Sequence, residues 1–244
     1  MMSLGLSSRA LPDAGLDALV AAVARRGLMA LELREGDAHG VAAGDPVLRG
    51  QAAAQRIAAA GLLLAGFRTR CLSDPAQLAC ISQGLHAPLV LDCAGEIDGR
   101  IHQAKVLAAA GAAVVVVVRG REALREATLV RSAGLELTWD ADPAIGGLGD
   151  LAEALLACCQ RELHQICLLG GGPEAGLHHG AGIGHLMRCL ALAGWRGSLI
   201  LAPSSTRFRP AWSVWLGRRR GWGCGSKSPD APLLSLTAPR RATQ

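Results

Sequence analysis

Tyrosine is absent from the chain, and aromatic residues make up only 3 % of its 244 positions. A core with so few rings must be assembled from Ala, Val, Leu and Ile, and hydrophobic residues do account for 50 % of the chain. That composition suits strands buried on both faces. A disulfide framework is also missing: the eight cysteines include the neighbours Cys158 and Cys159 but no Cys-x-x-Cys pair. The opening, MMSLGLSSRALPDAG, has no charged region followed by a long apolar run, so no secretory leader is expected. The cysteines are therefore expected to be reduced, small core residues in a cytoplasmic protein. The longest apolar stretch, 106–118, has thirteen residues and is broken by Gly111. A membrane span needs about 20. No Gly-x-Gly-x-x-Gly follows the first apolar run, which argues against a dinucleotide fold.

What is present is an alternation. Short apolar runs occupy 3–6, 28–33, 62–67, 88–91, 113–118, 135–139, 166–169 and 198–202. Amphipathic stretches separate them. Leu16, Leu19, Val20 and Val23 recur at helical spacing. Asp74 and Pro75 read as an N-cap and first helical residue. Asp98 reads as a cap for the helix carrying Ile101 and Val106. Gly27, Gly61, Gly111, Gly134 and Gly197 each precede a strand, as glycines ending a helix do. Eight strand–helix repeats predict a closed (β/α)8 TIM barrel over residues 1–217, an open parallel sheet being the alternative.

The formal charge of +5 is unevenly placed. Residues 206–244 hold eight Lys/Arg and one acid, Asp230, leaving 17 basic and 19 acidic residues in the body. A closing helix is expected at 210–216, followed by a short basic, largely disordered tail over 218–244. Trp212, Trp215 and Trp222 alternate with arginines there, including Arg218 to Arg220. They read as a cover for the barrel end or as a docking surface. Nucleic-acid binding is the weaker reading, because only the tail is basic.

Barrel enzymes build their sites at the C-terminal ends of the strands. The polar residues falling there are Ser7, Ser8 and Arg9; Glu32 and Arg34; Arg68 and Arg70; Asp92 and Glu96; Arg119; Asp140 and Asp142; Gly170, Gly171, Gly172 and Glu174; and Ser204, Ser205, Arg207 and Arg209. Glu32, Asp92, Asp140 and Asp142 are the candidates for proton transfer. Arg34, Arg68 and Arg119 are the candidates for holding a carboxylate or phosphate, together with Gly170, Gly171, Gly172, Ser204 and Arg207. The glycine run before Pro173 opens a helix N-terminus, which favours anions; a plain tight turn is the alternative. The same charged groups could instead neutralise one another as a polar plug. Glu32 lies inside an apolar strand, so burial would require a partner, either Arg34 or Arg68. His39 and the other histidines read as surface or loop residues, and no His-Glu-x-x-His occurs.

Gly27-Leu28-Met29-Ala30-Leu31-Glu32-Leu33-Arg34 resembles the "GxxxVELR"-like second strand of the sugar phosphate isomerase/epimerase family of xylose isomerase-like barrels. Leu137-Thr138-Trp139-Asp140-Ala141-Asp142-Pro143, followed by Gly146-Gly147, resembles that family's "ENDxxxxGG" segment, with Asp in place of Glu and Ala141 in place of Asn. The resemblance implies proton transfer on a small phosphorylated or carboxylated carbohydrate. It also implies a divalent metal held by Glu, Asp and His from the second half of the barrel. Here the sixth strand offers Asp140 or Asp142, while Arg119, glycines and Pro203-Ser204 follow the fifth, seventh and eighth. The metal set is therefore expected to be incomplete, and a non-catalytic barrel binding an anionic metabolite or a partner stands as the second expectation.

Overall fold

The computed structural model describes residues 2–70, 74–142, 147–170 and 178–202, with side chains in the last stretch from 185 onward. Eight parallel strands close into a barrel: β1 (Ser3–Ser7), β2 (Ala30–Arg34), β3 (Leu63–Thr69), β4 (Leu89–Leu91), β5 (Val114–Arg119), β6 (Glu136–Ala141), β7 (Leu163–Leu169) and β8 (Ser198–Ala202). Each strand pairs with the next in sequence, and β8 returns to β1 with Leu4 opposite Leu199. The open-sheet alternative is thereby excluded. The run Val114 to Val118 is buried throughout, since one face meets the barrel interior and the other the helices.

Among the described residues, seven α-helices alternate with the strands: α1 (Leu16–Arg25), α2 (Val47–Ala59), α3 (Pro75–Leu85), α4 (Ile97–Ala109), α5 (Ala123–Ser132), α6 (Leu148–Cys159) and α7 (His178–Leu192). In α1, Leu16, Leu19 and Val23 of the expected stripe are buried together with Ala22, whereas Val20 is only half-buried. Asp74 caps α3 by accepting from the Ala76 amide, with Pro75 behind it. Asp98 does not cap α4; it lies in the first turn, and Glu96 holds the cap position without a side-chain bond. Gly27, Gly61, Gly111 and Gly134 take positive φ after their helices as expected, but after α7 that role falls to Gly194 rather than Gly197. The helices α2 and α3 cross on glycine: a Cβ at Gly84 would stand 2.5 Å from the Val47 carbonyl oxygen.

No helix among the described residues is long and apolar enough to cross a membrane. The expected closing helix at 210–216, its tryptophans and the tail at 218–244 lie outside the described residues.

Ala30, Ala65, Cys167, Ile200 and Ala202, from four different strands, pack together as a buried apolar cluster. Gly5 on β1 lies against it, because a Cβ there would lie 2.7 Å from both the Ala30 Cβ and the Ile200 Cδ1.

Candidate functional site

Glu32 sits in the middle of β2, between Leu31 and Leu33, and its side chain is fully buried. It is satisfied from three strands. Ser7 on β1 donates to its Oε1 at 3.0 Å; Arg68 Nε on β3 and Gln165 Nε2 on β7 donate to its Oε2 at 3.2 and 2.6 Å. Arg68, not Arg34, is thus its ionic partner. The other edge of the Arg68 guanidinium forks onto Asp140 of β6, with Nη1–Oδ2 at 3.0 Å and Nη2–Oδ1 at 2.8 Å. Paired bonds of this kind are among the strongest that side chains make. Burial opposes the charge on Arg68, but the Glu32 and Asp140 carboxylates outweigh it and hold the guanidinium protonated well above its usual range. Burial likewise pushes the Cys167 thiol far up, so it remains protonated beside this cluster.

A second, more open tier lies at the rim around Asp92, just after β4. Arg34 Nη2 reaches Asp92 Oδ2 at 3.2 Å, Arg119 Nη2 reaches Oδ1 at 2.5 Å, and Arg68 Nη1 lies 3.5 Å from Oδ2. Burial would raise the Asp92 pKa, but Arg68, Arg119 and Arg34 together hold it below the ordinary carboxylate range. The Arg119 side chain is 46 % exposed and that of Arg34 15 %, against 1 % for Arg68. Glu126 of α5 fixes Arg119 by accepting its backbone N–H at 3.2 Å, and is itself held by Arg100 of α4. Six of the predicted site residues therefore form one assembly: Glu32, Arg34, Arg68, Asp92, Arg119 and Asp140.

The remaining predicted residues divide. Asp142 follows β6 and is half-buried. Gly170 follows β7, and its amide is spent on the Ala202 carbonyl at 2.9 Å. Gly171, Gly172, Ser204 and Arg207 lie outside the described residues. His39 is not a surface residue. It is buried, with Nε2 2.6 Å from the Arg34 carbonyl oxygen and Nδ1 accepting from the Val41 amide at 3.2 Å. It thus braces the loop after β2.

No protein-family model and no curated protein sequence matches the chain. Solved structures do. A xylose isomerase domain containing protein from Salmonella typhimurium LT2 is 15 % identical with a TM-score of 0.61, the alignment covering 90 % of this chain and 95 % of that one. The chain shares its closed (β/α)8 barrel fold with this structure. A 3-keto-D-glucoside 4-epimerase from E. coli is 14 % identical with a TM-score of 0.59, covering 89 % of this chain and 100 % of that one. An L-ribulose 3-epimerase is 15 % identical with a TM-score of 0.60, covering 89 % and 86 %.

The residues described at the mouth of this barrel do not fit a divalent metal. A hard ion wants several free oxygens. Both oxygens of Glu32 and both of Asp140 are already engaged, and the Arg68 guanidinium brings a positive charge between them. β5 ends in a further cation, Arg119. Sequence reasoning missed Gln165, because β7 begins at Leu163, three residues before the apolar run that marks it. A buried glutamine at strand parity with Cys167 and Leu169 was the available signal.

Proposed function

We propose that the protein is an isomerase- or epimerase-like barrel that moves a proton on a small anionic carbohydrate, phosphorylated or carboxylated, at the C-terminal mouth. The observation that carries this reading is the rim tier: Asp92 is held by arginines from three different strands, two of them reaching toward solvent. Such a carboxylate is a built-in stand-in for an anionic ligand. A substrate phosphate or carboxylate would draw Arg119 and Arg34 onto itself by the same paired hydrogen bonds. Asp92, relieved of positive charge, becomes more basic at the moment substrate is present. It can then take the proton from a carbon next to a carbonyl and return it to the neighbouring carbon, while a guanidinium stabilises the developing oxyanion.

In this reading Glu32 and Asp140 orient Arg68, Asp142 is a second proton-carrying group, and Gly170, Gly171, Gly172, Ser204 and Arg207 extend the anion-holding rim. The likeness to two sugar epimerases supports a carbohydrate substrate and isomerase- or epimerase-like chemistry. A reducing, cytoplasmic setting is proposed with it, since Cys80, Cys93, Cys158, Cys159, Cys167 and Cys189 are free.

The test is exchange of substrate carbon-bound hydrogen for deuterium, followed by NMR, over a panel of sugar phosphates and sugar acids. Exchange is expected with at least one, falling roughly 10²–10⁴-fold in Asp92→Asn. Absence of exchange across the panel, or full activity in Asp92→Asn, overturns the catalytic reading. The complete engagement of Glu32 and Asp140 favours a second reading, a non-catalytic barrel that binds an anionic metabolite or docks a partner through its Trp/Arg segment. A thermal shift with sugar phosphates but no exchange would establish that reading. Loss of partner binding on deleting 218–244 would assign the docking to the tail.

A further inference from the structure

Away from the mouth, on the outer layer of the barrel, α6 and α7 bring together three side chains of metal-ligand type. Glu153 projects from α6; His185 and Cys189 stand four residues apart, on one face of α7. We propose that Glu153, His185 and Cys189 form a binding site for a zinc-class divalent ion that ties α6 to α7.

The separations carry the proposal. His185 Nε2 lies 3.5 Å from Glu153 Oε1, and Cys189 Sγ lies 3.4 Å from the same oxygen. Zinc–ligand lengths of about 2.0–2.3 Å at tetrahedral angles put ligand atoms about 3.3–3.6 Å from one another. Both distances fall in that range, and all three ligand atoms lie within 4.8 Å of one another.

The backbone is shaped for this approach. Gly149 lies one helical turn before Glu153 on α6, and a Cβ there would stand 2.5 Å from His185 Cδ2 and 2.9 Å from Nε2. The imidazole therefore rests on bare helix backbone, which holds its Nε2 beside the Glu153 carboxylate. Any side chain at 149 would push the ring away.

The donor set selects the ion. One thiolate, one imidazole and one carboxylate suit zinc or cobalt, whereas magnesium and calcium prefer oxygen alone. Cys189 is buried while Glu153 and His185 are exposed, so water can take the fourth position. On binding, a sulfur–metal bond forms, the S–H bond breaks, and the proton leaves to solvent.

The experiment is titration of the full-length, reduced, metal-free protein with Zn2+ by calorimetry and with Co2+ by absorption. One equivalent is expected, with a cobalt–thiolate band in the near ultraviolet and visible bands of tetrahedral cobalt, unaffected by excess Mg2+. Cys189→Ser should abolish the thiolate band. Glu153→Gln and His185→Ala alter exposed positions, and each should weaken binding tenfold or more. Cys158→Ser and Cys159→Ser should change nothing. A band that survives Cys189→Ser, or that disappears in Cys158→Ser or Cys159→Ser, overturns the site. So does zinc affinity unchanged within twofold in both Glu153→Gln and His185→Ala.

Discussion

Arg68 and Asp140 face one another across the barrel through two parallel hydrogen bonds of 3.0 and 2.8 Å, although their strands, β3 and β6, are not neighbours in the sheet. The pair spans the interior instead of running around its wall. With Glu32 on the other edge of the guanidinium, three strands are joined through one side chain.

Removing that side chain should be severe. Arg68→Met leaves two buried carboxylates without their cation, and breaking a buried pair in this way costs about 3–5 kcal/mol. Urea unfolding should show a loss of that size. Combining Arg68→Met with Glu32→Gln and Asp140→Asn should recover part of it, because the stranded charges are gone. Arg68→Lys should not restore the wild-type midpoint, since an ammonium cannot make the double fork.

At the rim, Asp92 sets a dependence on acid. Its folded pKa lies below the ordinary value because Arg68, Arg119 and Arg34 outweigh its burial. The stabilisation is therefore fully present above about pH 4, the ordinary carboxylate value, and lost as pH falls through the lower folded pKa. Arg119→Ala should move the Asp92 titration upward, as followed by carboxyl carbon NMR. An unmoved titration would detach Arg119 from the site.

His164 acts in the opposite direction. Burial lowers its pKa, but the Glu136 carboxylate, 3.3 Å away, and the Ala65 carbonyl raise it by more. Its contribution is present below about pH 6.5 and lost as pH rises through the raised folded value. Glu136→Gln should bring the His164 titration down by proton NMR and flatten the stability profile on the alkaline side of neutrality.

Two helical glycines should respond oppositely to alanine. At Gly84 the new Cβ meets the Val47 carbonyl oxygen at 2.5 Å, so Gly84→Ala should force α2 and α3 apart at a cost of about 1–3 kcal/mol. At Gly99 in α4 nothing lies within 4 Å, so Gly99→Ala should stabilise by about 0.4–1 kcal/mol. Thermal unfolding of the two variants side by side reads out both.

The barrel was legible in the sequence because parallel strands buried on both faces read as continuous apolar runs, and all eight run centres lie within the observed strands. The pairing inside it was less so. Glu32 announced itself as an acid in an apolar strand, yet spacing could not choose between Arg34 and Arg68. That choice depends on a register shift between Leu31 and Glu32 where β2 meets β3. The start of β7 was hidden because His164 and Gln165 are polar; burial of Gln165 follows from contact with Glu32, 133 residues earlier. His39 read as a surface or loop residue and does lie in a loop, but its burial stayed hidden, because its partners are backbone groups, which leave no mark in composition.

The seam between β1 and β8 sets a timetable for manufacture. Ser3 and Ser198, hydrogen-bonded at 2.8 Å, are made 195 residues apart. At about 5–20 residues per second, β1 waits on the order of 10–40 s on the ribosome before its second neighbour exists. Glu32 and Arg68 can meet early, but Asp140 arrives 72 residues after Arg68, and Gln165 later still. For most of synthesis, the nascent chain therefore carries an open strand edge and an uncompensated polar centre, and this is the interval in which chaperone contact would matter most.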